Sequence, residues 1–340
     1  MELSYLDITN NLGTDYISKR YIDKALFYCC SCSYRLSETI LKDLTGSDQL
    51  SRQSLNNLVR DQALKHSDSY MLEYAKYSDT NYAEINTDFD IYDSNIKETI
   101  IEIDGILSKK QKYLRDKNPR TQKEFIVNDI CILQKKDGFY DYIIPPIDEN
   151  GDNRLNLSEC INLSIKKNYS DSTINIISIS DGATDIRNTL KNCFGDNVKI
   201  ILDWYHICKK TREFLSMISK NKVSKLRDLK HLLHLFWTGE INNAIDYVKV
   251  LDSKNDLQKD RFLKYLEKHK SEIINYEKRK KSGKTIGSGR IEKAVDQAVG
   301  IRQKKKAMSW SKNGSKSLAF LNIFHLNKNN KNSKSKYAEI

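Results

Sequence analysis

The sequence predicts a mixed α/β fold, with a helical region ahead of its sheet and an all-helical stretch inserted into it. Three observations carry this. Ile176–Lys210 holds two apolar β-branched runs around a short helical segment, which is the pattern of a β-α-β unit. Three more strand-like runs precede it between residues 100 and 144. From Ile207 to Glu277 the strand signal disappears and apolar residues recur at helical spacing.

The N-terminal part comes first. Tyr21–Thr45 reads as one or two amphipathic helices ending at Gly46, and Ser47 and Asp48 introduce a second with Leu50, Leu55, Leu58 and Val59 on its apolar side. Helix, Gly-containing turn and a polar helix start carrying Ser51, Arg52, Gln53 and Asn56 is the layout of a helix-turn-helix, although an ordinary helical hairpin has the same pattern. Asp61–Asn95 reads as a polar helix followed by an irregular acidic linker. Cys29, Cys30 and Cys32 are read as small buried residues, since no second ligand pair stands at zinc spacing and the nearest histidine is His66.

Next come the strands: Ile100–Leu107, Glu124–Leu133 and Gly138–Ile144, the last two joined by the turn signal Lys136-Asp137-Gly138. Within the first, Glu102 and Asp104 break the apolar run. Isolated acids there usually face solvent, yet an acid followed by Gly in a buried strand is costly unless it is paired or metal-bound. Leu157–Asn168 reads as an amphipathic helix leading into the β-α-β unit. Three strands in hairpins, then helix, strand, helix, strand is the ordering of a ribonuclease H-like mixed sheet. Asp181 and the pair Asp203 and His206 stand at two consecutive strand ends, where open α/β sheets place their chemistry. Acids after strands also serve as helix N-caps.

The rest is helical. About four helices are expected between Ile207 and Glu277, broken near Asn221, Gly239 and Asn255, with their aromatic and Met residues in a core and no metal role for His231, His234 or His269. Gly287-Ser288-Gly289 lacks the spacing of a phosphate-binding P-loop, and Glu292 in the first turn of the following helix is favoured by the helix dipole in any case. The expected divisions are therefore 1–95, helical and helix-turn-helix-like; 96–206, sheet; 207–281, helical insertion; and 282–340, final helix and basic end.

Charge narrows the partner. Lys and Arg outnumber Asp and Glu by 57 to 45, a net charge of +12 concentrated toward the C-terminal third in Lys278–Lys284 and Arg302–Lys306. That placement favours nucleic acid as a partner. No run of eighteen apolar residues occurs and the opening residues lack a signal-peptide layout, so no membrane association is expected and the chain is read as cytoplasmic, nucleoid-associated. Seven scattered cysteines fit reduced thiols.

Four segments, IIEIDGILSKKQK, IISISDGATDI, VKIILDWYHICKK and IGSGRIEKAVDQAVGIRQKKKAMSWSKNGSKSLAFL, in this order and over roughly residues 20–327, resemble bacterial insertion-sequence transposases of the mutator-like DDE group. The resemblance implies strand cleavage and transfer of DNA on a ribonuclease H-like core with the helical insertion before the glutamate. It makes Asp104, Asp181 and Glu292 the catalytic and metal-holding triad, for Mg²⁺ or Mn²⁺ and two ions. Asp203 and His206 match a short C/D-x-x-H motif, with aspartate in place of cysteine. Three carboxylates supply the hard oxygen donors that such ions take, two ions roughly 3.5–4 Å apart serve in-line phosphodiester attack, and a metal explains an acid such as Asp104 inside a strand. Arg52, Gln53, Arg290, Arg302, Lys304, Lys305 and Lys306 are the expected DNA contacts, with Trp310 packing rather than stacking on a base. Synapsis of two transposon ends implies a homodimer or larger. The competing readings are a non-transposing nuclease or junction resolvase and a transposase-derived DNA-binding protein whose catalysis is lost.

Overall fold

The computed structural model describes residues 17–46, 50–112, 124–304 and 308–337. Three helices come first: α1 (Lys19–Ser31), α2 (Tyr34–Thr45) and α3 (Arg52–Tyr77). Each starts at a serine whose hydroxyl accepts a first-turn N–H: Ser18 from Tyr21, Ser33 from Leu36 and Ser51 from Ser54. Gly46 ends α2 in the left-handed conformation, φ 68°, as expected. Ser47 and Asp48 lie outside the described residues, and the cap of α3 is Ser51. Cys29 and Cys30 are buried on α1, where burial pushes their thiols up to about 11 and about 12.

A two-residue strand β1 (Glu84–Ile85) follows. The linker after it is anchored rather than irregular: Phe89 is buried in the core of the later helices and the Lys199 ammonium sits over its ring. The main sheet then forms from β2 (Thr99–Lys109), β3 (Phe125–Gln134), β4 (Tyr140–Ile143), β6 (Ile176–Ser180) and β7 (Lys199–Leu202), with α4 (Leu157–Tyr169) before and α5 (Thr184–Phe194) within the last crossover. The short β5 (Thr173–Ile174) pairs in parallel with β1. Strand order is β4-β3-β2-β6-β7, and only β3 runs against its neighbours. The hairpins need only tight turns, such as Lys135–Phe139 with Gly138 at φ 82°, whereas the parallel pairs need the helical crossovers.

Alternation along β2 assigns its two faces. Ile101 and Ile103 pack with Ile161, Ile165 and Leu190 of α4 and α5. On the other face Ile106 joins Ile126, Ile130 and Ile132, and these meet Leu26, Leu55 and Val59 of the N-terminal helices together with Ile291, Val295, Leu318 and Leu321. Each fully enclosed Leu or Ile here stabilises the fold by roughly 1.5–3 kcal/mol. Residues from both ends of the chain thus share one core with the sheet.

The inserted helices are α6 (Trp204–Ile218), α7 (Lys222–Thr238), α8 (Ile241–Val250), α9 (Asp256–Lys268) and the short α10 (Tyr276–Lys281). Asn221 and Asn255 cap α7 and α9, and Gly239, φ 80°, ends α7, at the three expected breaks. The insertion is stitched to the free edge of β7. Leu202 N–H donates to Glu272 O at 3.0 Å and the Tyr276 hydroxyl to Leu202 O at 2.7 Å. After it, α11 (Gly289–Val295) continues into a π-helix, Asp296–Lys304, and α12 (Lys312–Tyr337) closes the chain. In the widened turn the Asp296 carboxylate lies where a side chain on residue 300 would go, and it would have to swing aside for any larger residue. No helix among the described residues is long and apolar enough to cross a membrane.

Candidate active site

Strand registers bring the expected acids together. Thr99 pairs with Ile176 across β2 and β6, and Ser180 with Leu202 across β6 and β7. The pairings end at Ile101↔Ser178 and Ser180↔Leu202, and Asp104, Asp181 and Asp203 follow them as a row along the carboxyl-end side of three adjacent strands. Asp104 is half-buried and accepts the Gly105 N–H at 2.8 Å. Asp181, also half-buried, accepts the Ala183 N–H at 2.8 Å as the chain turns into α5. That turn needs Gly182, whose φ is 85° and against which the His269 ring is pressed.

Glu292 arrives from far along the chain, exposed in the first turn of α11. Its charge reaches the row. Burial raises the Asp104 carboxyl, and Asp181 and Glu292 raise it further, against the opposing pull of the Gly105 N–H and His206. His206 is held above its ordinary value by the Asp203 carboxylate, 3.7 Å from its Nδ1, and then by the charges of Asp181 and Glu292, against its partial burial. Among the described residues no three His, Cys, Asp or Glu side chains are close enough to hold an ion as they stand. The donor set itself, carboxylate oxygens alone, suits Mg²⁺ or Mn²⁺.

Asp203 does different work from its neighbours in the row. It is 1% exposed, and its Oδ1 caps α6 by accepting the His206 N–H at 2.8 Å. Oδ2 accepts both the N–H and the hydroxyl of Ser288, the latter at 2.8 Å. Burial alone would raise this carboxyl, but the bonds from His206 and Ser288 prevail and hold it at about 2. Both oxygens being occupied, Asp203 ties the start of the insertion to the segment by which it returns.

Other expected contacts divide by exposure. Arg52 and Gln53 lie exposed on the first turn of α3, Arg52 paired with Glu38 at 3.2 Å and Gln53 bonded to Asn57 at 3.0 Å. Arg290 is exposed beside the acids, its guanidinium 5.0 Å from the centre of the Tyr140 ring. Lys304 is exposed, while Lys305 and Lys306 lie outside the described residues. Arg302 is a correction. It is buried, donates from Nε to Cys29 O at 3.0 Å, and lies between the Trp310 and Tyr34 rings, so its guanidinium is engaged inside the core rather than offered to DNA. Trp310 packs, as expected, and donates to Gln303 O. Part of the basic run Lys278–Lys284 is internal too: Arg279 is fully buried on Glu98, with Lys284 on the same carboxylate.

Two features escaped the sequence reading. Glu102, expected at solvent, is 0% exposed and lies on the same face of β2 as Asp104; burial pushes it up to about 7, against the Ile291 N–H. The signal was available in the two-residue spacing of the acids along one strand. Behind Gly182, Arg187 and His269 converge on Glu272, at 2.5 and 2.8 Å, a buried group joining the insertion to the Asp181 turn. A cavity of about 630 Å³, lined by His66, Tyr70, Asp141, Phe324 and others between α3, β4, α4 and α12, shares no residue with the acid group.

No family model and no curated protein matches this chain. Among solved structures it is similar to the Drosophila P element transposase strand transfer complex, at 11% identity over 95% of this chain and 82% of that one, with a TM-score of 0.29. So loose a likeness bears on neither fold nor chemistry, which rest on the residues themselves.

Proposed function

We propose that this chain is a DNA transposase of the DDE kind, cutting and joining strands on a ribonuclease H-like core, with Asp104, Asp181 and Glu292 as its metal-holding acids. The observation that carries this reading is placement: Asp104 on β2, Asp181 just past β6 and Glu292 in the first turn of α11, which is held on β2 by the Ile291 N–H on Glu102. A fold gains nothing from gathering like charges, and a divalent cation removes the penalty. The strand order, with only β3 antiparallel, supports the ribonuclease H-like assignment.

In this reading Asp104, Asp181 and Glu292 would together hold the divalent ions. Bound Mg²⁺ or Mn²⁺ would activate the attacking oxygen and stabilise the leaving one. His206, held toward its protonated form by Asp203, offers a cationic N–H to a non-bridging phosphate oxygen. Arg290 contacts the backbone beside it, and Arg52 and Gln53 at the start of α3 read the element's terminal repeats, two ends being synapsed by a homodimer or larger.

The test is strand cleavage of labelled linear DNA carrying the element's own end, with Mg²⁺ or Mn²⁺. Metal-dependent nicking at the end, lost in Asp181→Ala and Glu292→Ala while binding persists, is the expected result. Wild-type binding without cleavage would replace this reading by a transposase-derived DNA-binding protein. Neither binding nor cleavage would overturn both.

A further inference from the structure

The helix that carries Glu292 has an unusual start. Ser288 stands at its N-cap position, yet its hydroxyl caps nothing in the helix. That hydroxyl is donated, with the Ser288 N–H, to Asp203. The capping duty is met from outside. Glu102, reaching from the middle of β2, accepts the Ile291 N–H on Oε2 at 3.1 Å, a hydrogen shared with Ser288 O at 3.1 Å. Two buried acids on the sheet thus hold the backbone of the one turn from which Glu292 projects.

Neither acid is an obvious choice for mere packing. Glu102 is fully enclosed in a central strand, and its second oxygen has no hydrogen-bond partner, which an apolar residue would avoid. The helix it grips re-enters the site only after the whole insertion, so chain connectivity cannot set its register on β2. We propose that Glu102 and Asp203 form a two-point latch that fixes the first turn of α11, and with it Glu292, against Asp104 and Asp181. Glu102 is thereby a positioning residue, acting through Ile291 and not on the substrate. The proposal rests on the reading of Glu292 as a metal-holding acid.

Two substitutions separate the latch from packing and from a metal-ligand role. Glu102→Leu fills the same space without an acceptor, and Glu102→Gln keeps a carbonyl oxygen for the Ile291 N–H. Amide hydrogen exchange over residues 287–293 reads the latch without reference to activity, and end cleavage at saturating Mg²⁺ reads its consequence. The expected result for Glu102→Leu is exchange roughly tenfold faster in that segment. Its kcat should fall roughly tenfold or more with KM for the DNA end within about twofold, and its melting temperature should stay at or above wild type. Glu102→Gln should restore exchange and most of kcat. Wild-type exchange in Glu102→Leu would overturn the latch. So would a Glu102→Gln variant as slow as Glu102→Leu with a raised Mg²⁺ requirement, which would make Glu102 a ligand. If the wild type does not cleave but Glu102→Leu still exchanges faster, the latch stands and the transposase reading falls.

Discussion

Two clusters of charge in this fold are resolved in opposite ways. Arg279, fully enclosed, donates four hydrogen bonds, to Thr285 O, Ile91 O and both oxygens of Glu98, and Lys284 adds a second cation on Glu98 at 2.6 Å. There each buried charge has a partner of opposite sign within the protein, one carboxylate serving two cations. At the strand ends Asp104, Asp181, Glu292 and Glu102 gather, offset among the described residues by His206 and Arg290. The first cluster fastens the linker to the end of the insertion and is complete. The second is left acidic, and under the proposed function Asp104, Asp181 and Glu292 would be balanced by a divalent cation.

The contrast can be broken at either cluster. The largest effect is expected at the acids. Asp181→Asn should slow metal-dependent end cleavage roughly a thousandfold, since the metal's stabilisation of the transition state is worth several kcal/mol. The same change should leave the melting temperature unchanged or raise it, because it removes a like charge; a large fall in calorimetry would mean that Asp181 belongs to the scaffold. At the compensated cluster the signs reverse. Glu98→Leu strands two cations and should destabilise the chain by about 3–5 kcal/mol in denaturant unfolding.

A pH experiment on Asp203 comes next in size. Its folded carboxyl is held at about 2, below the ordinary 3.8. A depressed acid stabilises the fold above its unfolded value and ceases to do so as pH falls through the folded one. The contribution, about 2 kcal/mol, should therefore be present at pH 7 and disappear between roughly pH 4 and pH 2. Asp203→Asn should lose it at neutral pH and flatten that acid limb; an unchanged limb would show that the Ser288 bonds carry no net stability. The smallest effects are expected at the basic residues. Lys304→Ala should lower the salt dependence of DNA binding by about one unit of log–log slope without changing stability, whereas Arg302→Ala should do the reverse.

Most of the architecture was legible because its signals are local. Ile176–Ser180 and Lys199–Leu202 are continuous apolar runs, and the breaks at Asn221, Gly239 and Asn255 are capping residues whose chemistry does not depend on the rest of the chain. What the sequence hid is set by partners distant along it. Arg279 looks like one cation in a solvated run, and only Glu98, brought alongside by the linker, makes it internal. Arg302 was misread for the same reason, its acceptor Cys29 lying near the opposite end of the chain. Glu102 resembles a solvent-facing acid until α11 is laid across β2. In the π-helix Asp296 occupies the space left by Gly300, a side-chain placement with no periodic trace.

The most direct measurement is Mn²⁺ binding to the full chain with end DNA present, followed by the loss of the free-ion paramagnetic resonance signal, for wild type and for Asp181→Asn. If the acids hold divalent ions, the wild type takes up Mn²⁺, Mg²⁺ competes for the same site, and Asp181→Asn binds DNA but loses the ion. Equal uptake by both proteins, or none by either, would contradict this reading.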